Sequence, residues 1–227
     1  MMKYITKTDL YIVSRYSGVV MICVGLMCLF PLLIDLIYFE FNYACFIIPG
    51  VFSVILGYIC MKALDKYSNS KMRLKHGMMI SSIAWMWASV IGGVVISLAT
   101  GTDFLNGIFE STSALTGTGI TMFDNVEILP HSILYFRAFE QWVGGLGVVV
   151  MMIGILTRPG TASAKLYQSE AREERLKPSV KTTLKKTIEI YLIYTIIGII
   201  LYLLAGMPAF DSVCTTFCMI ATGGMSI

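Results

Sequence analysis

Charged side chains are scarce in this sequence. Asp, Glu, Lys and Arg make up 14% of its 227 residues, against about 25% in soluble domains. Hydrophobic residues account for 56%, and the mean hydropathy is +0.76. A chain with so few polar groups cannot cover its surface in water. The composition therefore excludes an ordinary soluble domain and predicts an integral membrane protein.

Residue patterns of intramembrane and metal-dependent enzymes are also missing. The sequence has two histidines and no CxxC pair, and its apolar stretches contain no HExxH motif, no paired aspartates and no Ser/His pair. An enzyme of these classes would need one of these patterns. Its six cysteines lie in apolar stretches, where we expect small buried side chains. Neither an enzyme nor a bound cofactor is expected.

Long apolar stretches dominate what is present. A transmembrane helix needs about 20 mainly apolar residues. Five stretches qualify, at residues 16–38, 44–64, 77–99, 132–156 and 188–205. Two further apolar segments, 104–115 and 209–221, are too short to span, and segments of that length are typically re-entrant or buried. The pattern predicts an all-α membrane protein with about five transmembrane helices and two re-entrant pore helices.

The placement of basic residues predicts the orientation. With the N-terminus in the cytoplasm, all of the 17 basic residues except Arg137 fall on the cytoplasmic side, as the positive-inside rule requires. This holds only if segment 104–115 does not cross, because an extra crossing would place the basic residues of 158–186 outside. The charges therefore independently predict that segment 104–115 is re-entrant. Together with the apolar stretches, they predict a multi-pass protein of the cell membrane.

The chain also repeats itself at an offset of 105 residues. Gly119 corresponds to Gly224, each in a Gly/Thr-rich loop after a short segment. Asn106 corresponds to Asp211, and both suit the N-cap of a short helix. Each unit therefore predicts a span, a short capped helix and a loop.

These patterns divide the chain into four parts. An N-terminal transmembrane hairpin covers 1–76, and the first helix–pore loop–helix repeat covers 77–156. A cytoplasmic linker is predicted at 157–186, which is polar and charged and contains Pro159 and Pro178. An incomplete second repeat covers 187–227 and ends at its loop. The linker's charges indicate a solvated segment that fixes topology, with a docking surface for a cytosolic partner as the alternative.

The two loops have the composition of a site for a monovalent cation. Glycine allows conformations that turn carbonyls toward an axis, and a ring of carbonyls can replace an ion's hydration shell. The loops contain no Asp or Glu, whereas divalent cations usually recruit carboxylates. Potassium is the predicted ion, with sodium left open. The predicted ligands are Thr116, Gly117, Thr118, Gly119, Ala221, Thr222, Gly223 and Gly224.

Three motifs resemble the TrkH/KtrB/HKT potassium transporter superfamily. Residues 109–119 (FESTSALTGTG) are similar to its first pore loop, 141–147 (QWVGGLG) to its QWxGGxG run, and 217–226 (FCMIATGGMS) to its second loop. Ala114, Leu115 and Gly117 depart from the usual glycine, phenylalanine and threonine. The resemblance puts the filter glycines at Gly119 and Gly224, and the extra N-terminal hairpin favours the TrkH branch.

The resemblance implies potassium uptake across the cell membrane through a backbone-carbonyl selectivity filter. Its members have four helix–loop–helix repeats around one pore, and they act as homodimers with a cytosolic nucleotide-binding regulatory ring. This chain has one complete repeat and half of another, so we expect it to act with the remaining repeats. The alternative is a truncated, non-conducting fragment or an assembly subunit of a split transporter. Channel and ion-coupled symporter both stay open.

The apolar stretch 132–156 contains one basic residue and a group of glycines. Arg137 is the only basic residue on the predicted outer side. It could pair with Glu110 or Asp124, or contact lipid headgroups. The glycines of 144–147 predict close helix packing and not a nucleotide-binding loop, because no strand precedes them.

Overall fold

The computed structural model describes residues 6–67, 74–156 and 180–225, and each predicted apolar segment is helical over most of its length. Regular structure there is entirely helical, which confirms the all-α prediction for these residues. The helices are α1 (Lys7–Met27), α2 (Leu32–Tyr38), α3 (Tyr43–Ala63), α4 (Leu74–Thr100), α5 (Phe104–Leu115), α6 (His131–Leu156), α7 (Val180–Leu204) and α8 (Ala209–Ile220). A 3₁₀ turn, Asp65–Tyr67, follows α3.

Within the part of the chain that the structure describes, four stretches are long and apolar enough to cross a membrane. They are Lys7–Tyr38, Tyr43–Ala63, Lys75–Thr100 and Thr182–Leu204. Helix α6 has 26 residues, but its first turns carry charged side chains, and the span predicted at 132–156 stays a prediction. Helices α5 and α8 have 12 residues each, about 18 Å at 1.5 Å per residue. This is shorter than a bilayer core of about 30 Å, so re-entry stays the prediction for both.

The first predicted span, 16–38, differs from the structure at its start and in its interior, and both end at Tyr38. Helix α1 begins at Lys7, nine residues before the predicted start, because Thr6 and Asp9 form a capping box. The chain then leaves the helix at residues 28–31 and re-enters it as α2. Pro31 has no N–H to continue the α1 ladder, which explains the break.

The predicted linker 157–186 is too long at its C-terminal end. Helix α7 begins at Val180, so the lysines of 181–186 belong to its first turns. The Lys186–Glu189 pair at 3.2 Å supports the helix at i,i+3 spacing. Residues 157–179 of the predicted linker lie outside the described residues.

Glycines let α1 and α3 pack backbone to backbone as an antiparallel pair. A methyl group added at Gly18 would lie 2.6 Å from the carbonyl oxygen of Gly57, and one at Gly25 would lie 2.5 Å from that of Gly50. Small residues permit such close approach in membranes. Both helices also contact α4, so the N-terminal pair packs directly on the part that carries the first loop.

The predicted N-caps of the two short helices are wrong. Asp103 and Pro208 occupy the N-cap positions, with extended ψ angles of 145° and 148° and no side-chain cap bond. The extended residues turn the chain so that each helix begins at the next residue. Asn106 and Asp211 therefore lie in the first turns, where the charge of Asp211 favourably meets the helix N-terminus.

Candidate functional site

The loops after α5 and α8 have the same backbone fold. Gly117 N–H donates to Ala114 O at 3.1 Å, and Thr222 N–H donates to Met219 O at 2.9 Å. One residue further, the N–H groups of Thr118 and Gly223 donate to Ser113 O and Cys218 O, both at 3.0 Å. Each bond recurs 105 residues later, so the sequence offset is also a structural repeat.

Four loop residues adopt left-handed conformations, again in pairs. Gly117 and Thr222 have φ of 71° and 57°, and Gly119 and Gly224 have φ of 75° and 66°. Glycine adopts this region without steric cost, whereas a β-branched threonine is strained there. The Thr222 hydroxyl donates to Ala221 O at 2.7 Å, which supports the turn locally. Left-handed residues alternate with others along each loop, so successive carbonyls change direction.

The two loops lie against each other. A methyl group added at Gly119 would lie 2.1 Å from Gly223 O and 3.3 Å from Met225 N. One added at Gly117 would lie 3.8 Å from Ala221 O. The structure thus brings together the two sets of predicted ligands, which are residues 116–119 after α5 and residues 221–224 after α8.

Helix α6 supports both loops through its glycines. A methyl group at Gly144 would lie 1.9 Å from Leu115 O, at the end of α5. One at Gly145 would lie 2.9 Å from Cβ of Ala221, in the second loop. Gly144 and Gly145 thus allow the close packing predicted from the sequence, whereas a methyl group at Gly147 would meet only Trp85, at 3.8 Å.

Gln141 is a site residue that sequence reasoning did not single out. Its side chain is fully buried, and its Oε1 accepts from Met225 N at 3.2 Å. A methyl group at Gly223 would lie 2.1 Å from Gln141 Nε2. The amide therefore lies flat against the second loop. Its place in the QWVGGLG run is the sequence signal for this role.

Arg137 pairs with Glu110, which decides between the predicted alternatives. The Arg137 side chain is 1% exposed, and its Nε and Nη2 lie 2.7 and 2.6 Å from Glu110 Oε1. Glu110 also accepts from the Thr121 hydroxyl at 2.9 Å and from Met122 N–H at 2.8 Å. Asp124 is exposed. The buried pair therefore anchors the segment that leaves the first loop.

Glu40 holds the other end of that segment. Its carboxylate accepts from the N–H groups of His131 and Ser132 at 2.5 and 2.9 Å, and from the Ser132 hydroxyl at 2.7 Å. Burial alone would raise the pKa of Glu40, but the hydrogen bonds from Ser132 and His131 outweigh it and lower the pKa. An ionised Glu40 thus caps the N-terminus of α6.

A cavity of about 680 Å³ opens beside the second loop. It is lined by Glu127, His131, Leu134, Phe210, Asp211, Thr215, Cys218, Met219, Gly224 and Met225. Within the described ranges, no three His, Cys, Asp or Glu side chains are grouped to hold a metal ion. The oxygens available at the loops are therefore carbonyls and hydroxyls, which suit a weakly held monovalent cation.

Comparison with known proteins finds relatives over most of the chain. The TrkH family profile, described as cation transport protein, matches residues 46–227. An uncharacterized cation transporter of Methanocaldococcus jannaschii is 40% identical over 224 residues, covering 98% of this chain and 47% of that protein. The Trk system potassium uptake protein TrkG of Escherichia coli is 32% identical, covering 95% of this chain and 45% of that protein.

A solved structure has the same fold. The crystal structure of the potassium transporter TrkH from Vibrio parahaemolyticus superposes with a TM-score of 0.81 at 26% identity. The match covers 96% of this chain and 44% of that one. The chain therefore spans about half the length of the relatives it matches.

Proposed function

Because this chain belongs to the TrkH family of cation transport proteins, we propose that it forms half of the wall of a potassium uptake pore. Family members are membrane-embedded ion transporters and not enzymes. The chain spans about half of its relatives, so we propose transport for the chain acting with the remaining repeats.

In this proposal, the loops at 116–119 and 221–224 form part of a selectivity filter. The observation that carries it is the contact between Gly119 and Gly223, which joins two copies of one loop in a single site. Backbone carbonyls of both loops would replace water around a potassium ion. Each loop follows the C-terminal end of a 12-residue helix, whose partial negative charge favours a cation.

The proposed topology places the N-terminus in the cytoplasm of a cell-membrane protein, with α5 and α8 as re-entrant pore helices. Lipid would cover apolar side chains such as those of α7, many of which are exposed. We further propose a homodimer with a cytosolic nucleotide-binding regulatory subunit, as the family resemblance implies. Potassium is the cargo, and no bound cofactor is part of the proposal.

The second candidate is a chain that inserts into the membrane but does not conduct, as a fragment or as an assembly subunit. The observation that favours it is that the match covers only 44% of the solved transporter. Two loops supply half of a four-part filter. The two candidates differ in one result, which is whether potassium uptake appears when the remaining repeats are supplied.

The test is rescue of a potassium-uptake-deficient bacterium on low potassium. We expect rescue by this chain joined to the remaining part of the M. jannaschii relative. The variant Gly119→Ala should abolish rescue, because its methyl group would lie 2.1 Å from Gly223 O. Gly147→Ala is the matched control, since its methyl group would meet only Trp85 at 3.8 Å.

Immunoblots of membranes should show equal amounts of both variants. Unchanged uptake in Gly119→Ala would contradict the filter assignment. Absence of uptake by the unmutated joined protein, with normal insertion, would favour the non-conducting alternative.

A further inference from the structure

Glu140 is a fully buried acid that the proposed ion pathway does not use. It lies on α6, and its Oε1 accepts from the Ser111 hydroxyl of α5 at 2.7 Å. Its Oε2 has no hydrogen-bond partner among the described residues. A methyl group at Gly92 of α4 would lie 2.1 Å from Oε1. Three helices therefore enclose this carboxyl group, and one of its oxygens points at no donor.

The charged and titratable groups that face Glu140 come from three elements. Arg137 precedes it by one turn of α6, Glu110 lies on α5, and the thiol of Cys28 follows α1. On α4, Gly92 lies against Oε1 of Glu140 and brings no charge to it. Arg137 lies 2.6 Å from Glu110, so this buried pair is already neutral. An ionised Glu140 would add a second negative charge with no water to solvate it.

We propose that Glu140 is a proton-binding site in the protein interior, where its carboxyl group holds a proton at neutral pH. A buried carboxylate with one oxygen unpaired is costly, and protonation removes the largest part of that cost, which is the burial of the charge. Ionisable groups buried within membrane proteins commonly bind protons or ions. The proton here would keep the set of Glu110, Arg137 and Glu140 neutral.

The proton on Glu140 would affect the anchor of the segment that follows the first loop. Ser111 lies next to Glu110, whose hydrogen bonds anchor the segment after the first loop. Loss of the proton would place two carboxylates around one guanidinium and weaken this anchor. The proton site does not depend on the proposed filter, because it rests on burial and charge alone.

Infrared spectroscopy of the purified chain in lipid tests the proposal. Spectra of the wild type minus Glu140→Gln at pH 7 should contain the C=O band of a protonated carboxylic acid. Glu127→Gln is the matched control, because Glu127 is exposed and should contribute only carboxylate bands. A wild-type minus Glu140→Gln spectrum with carboxylate bands alone would overturn the proposal.

A second measurement covers the case in which Glu140→Gln does not fold. The unmutated chain, labelled with ¹³C on its glutamate carboxyl groups, should retain one isotope-shifted acid band at pH 7, and its absence would overturn the proposal. If the variant folds, the melting temperature of the wild type should fall relative to Glu140→Gln as the pH is raised. If the melting temperatures of the wild type and of Glu140→Gln instead changed in parallel as the pH is raised, this would contradict a bound proton.

Discussion

Replacing Arg137 by glutamine should destabilise the chain by about 3–5 kcal/mol, the usual cost of breaking a buried ion pair. The guanidinium is 1% exposed and Glu110 is 0% exposed, so water cannot replace the lost partner. Glu110 would keep its bonds from Thr121 and Met122. These neutral donors cannot balance its charge.

The surface pair of Lys186 and Glu189 provides the internal comparison. Their side chains are 68% and 49% exposed at an N–O distance of 3.2 Å. Removing such a pair typically costs about 0–1 kcal/mol. The variant Lys186→Gln should therefore be several times milder than Arg137→Gln, although both remove one positive charge.

Unfolding by SDS in mixed micelles can measure both variants and the double variant Glu110→Gln/Arg137→Gln. The double variant removes both charges and should be less destabilised than the sum of its single variants, by a coupling energy of about 1–3 kcal/mol. If Arg137→Gln costs no more than Lys186→Gln, or if the single variants are additive, the pair does not anchor the segment after the first loop.

Three further predictions concern the supports of the loops. Gly144→Ala should cost about 1–3 kcal/mol by overpacking against Leu115 O, measured by the same SDS unfolding with Gly147→Ala as control. Gln141→Leu removes the acceptor for Met225 N–H, so hydrogen exchange at Met225 should accelerate; unchanged exchange would refute the contact. The pKa of Glu40 is lowered, so its contribution to stability is present above its ordinary pKa of 4.5 and is lost as the pH falls through the lowered value. The difference in melting temperature between wild type and Glu40→Gln should therefore shrink on acidification, and a constant difference would count against the cap.

The sequence predicted local elements well because their signals are local. Segment 104–115 was predicted from its apolar length, and helix α5 has the same bounds. The 105-residue offset predicted two copies of one unit, and the loop hydrogen bonds repeat at that spacing. The sequence also contains the signal for the start of α1, because Thr6 and Asp9 have the spacing of a capping box. Hydropathy alone predicts a start nine residues too late.

The contacts that hold the site could not be predicted from local patterns. Glu40 caps α6 across 91 positions of the chain, and Gln141 reaches Met225 across 84. Glu40 has the sequence context of an ordinary loop acid, and the QWVGGLG run marks Gln141 without indicating Met225 as its partner. For Arg137, sequence reasoning gave a short list of partners, and only the packing of α5 on α6 selects Glu110.

Gly223 is required for a different reason from the one that the sequence suggests. Sequence reasoning assigned the loop glycines to backbone conformations that other residues avoid, and this holds for Gly117, Gly119 and Gly224. Gly223 is not among the left-handed residues, so its conformation does not require glycine. Its Cα instead lies against Gln141, where any side chain would meet the buried amide. Gln141 lies in the predicted first repeat and Gly223 in the predicted second, so the second loop depends on a helix from the preceding repeat.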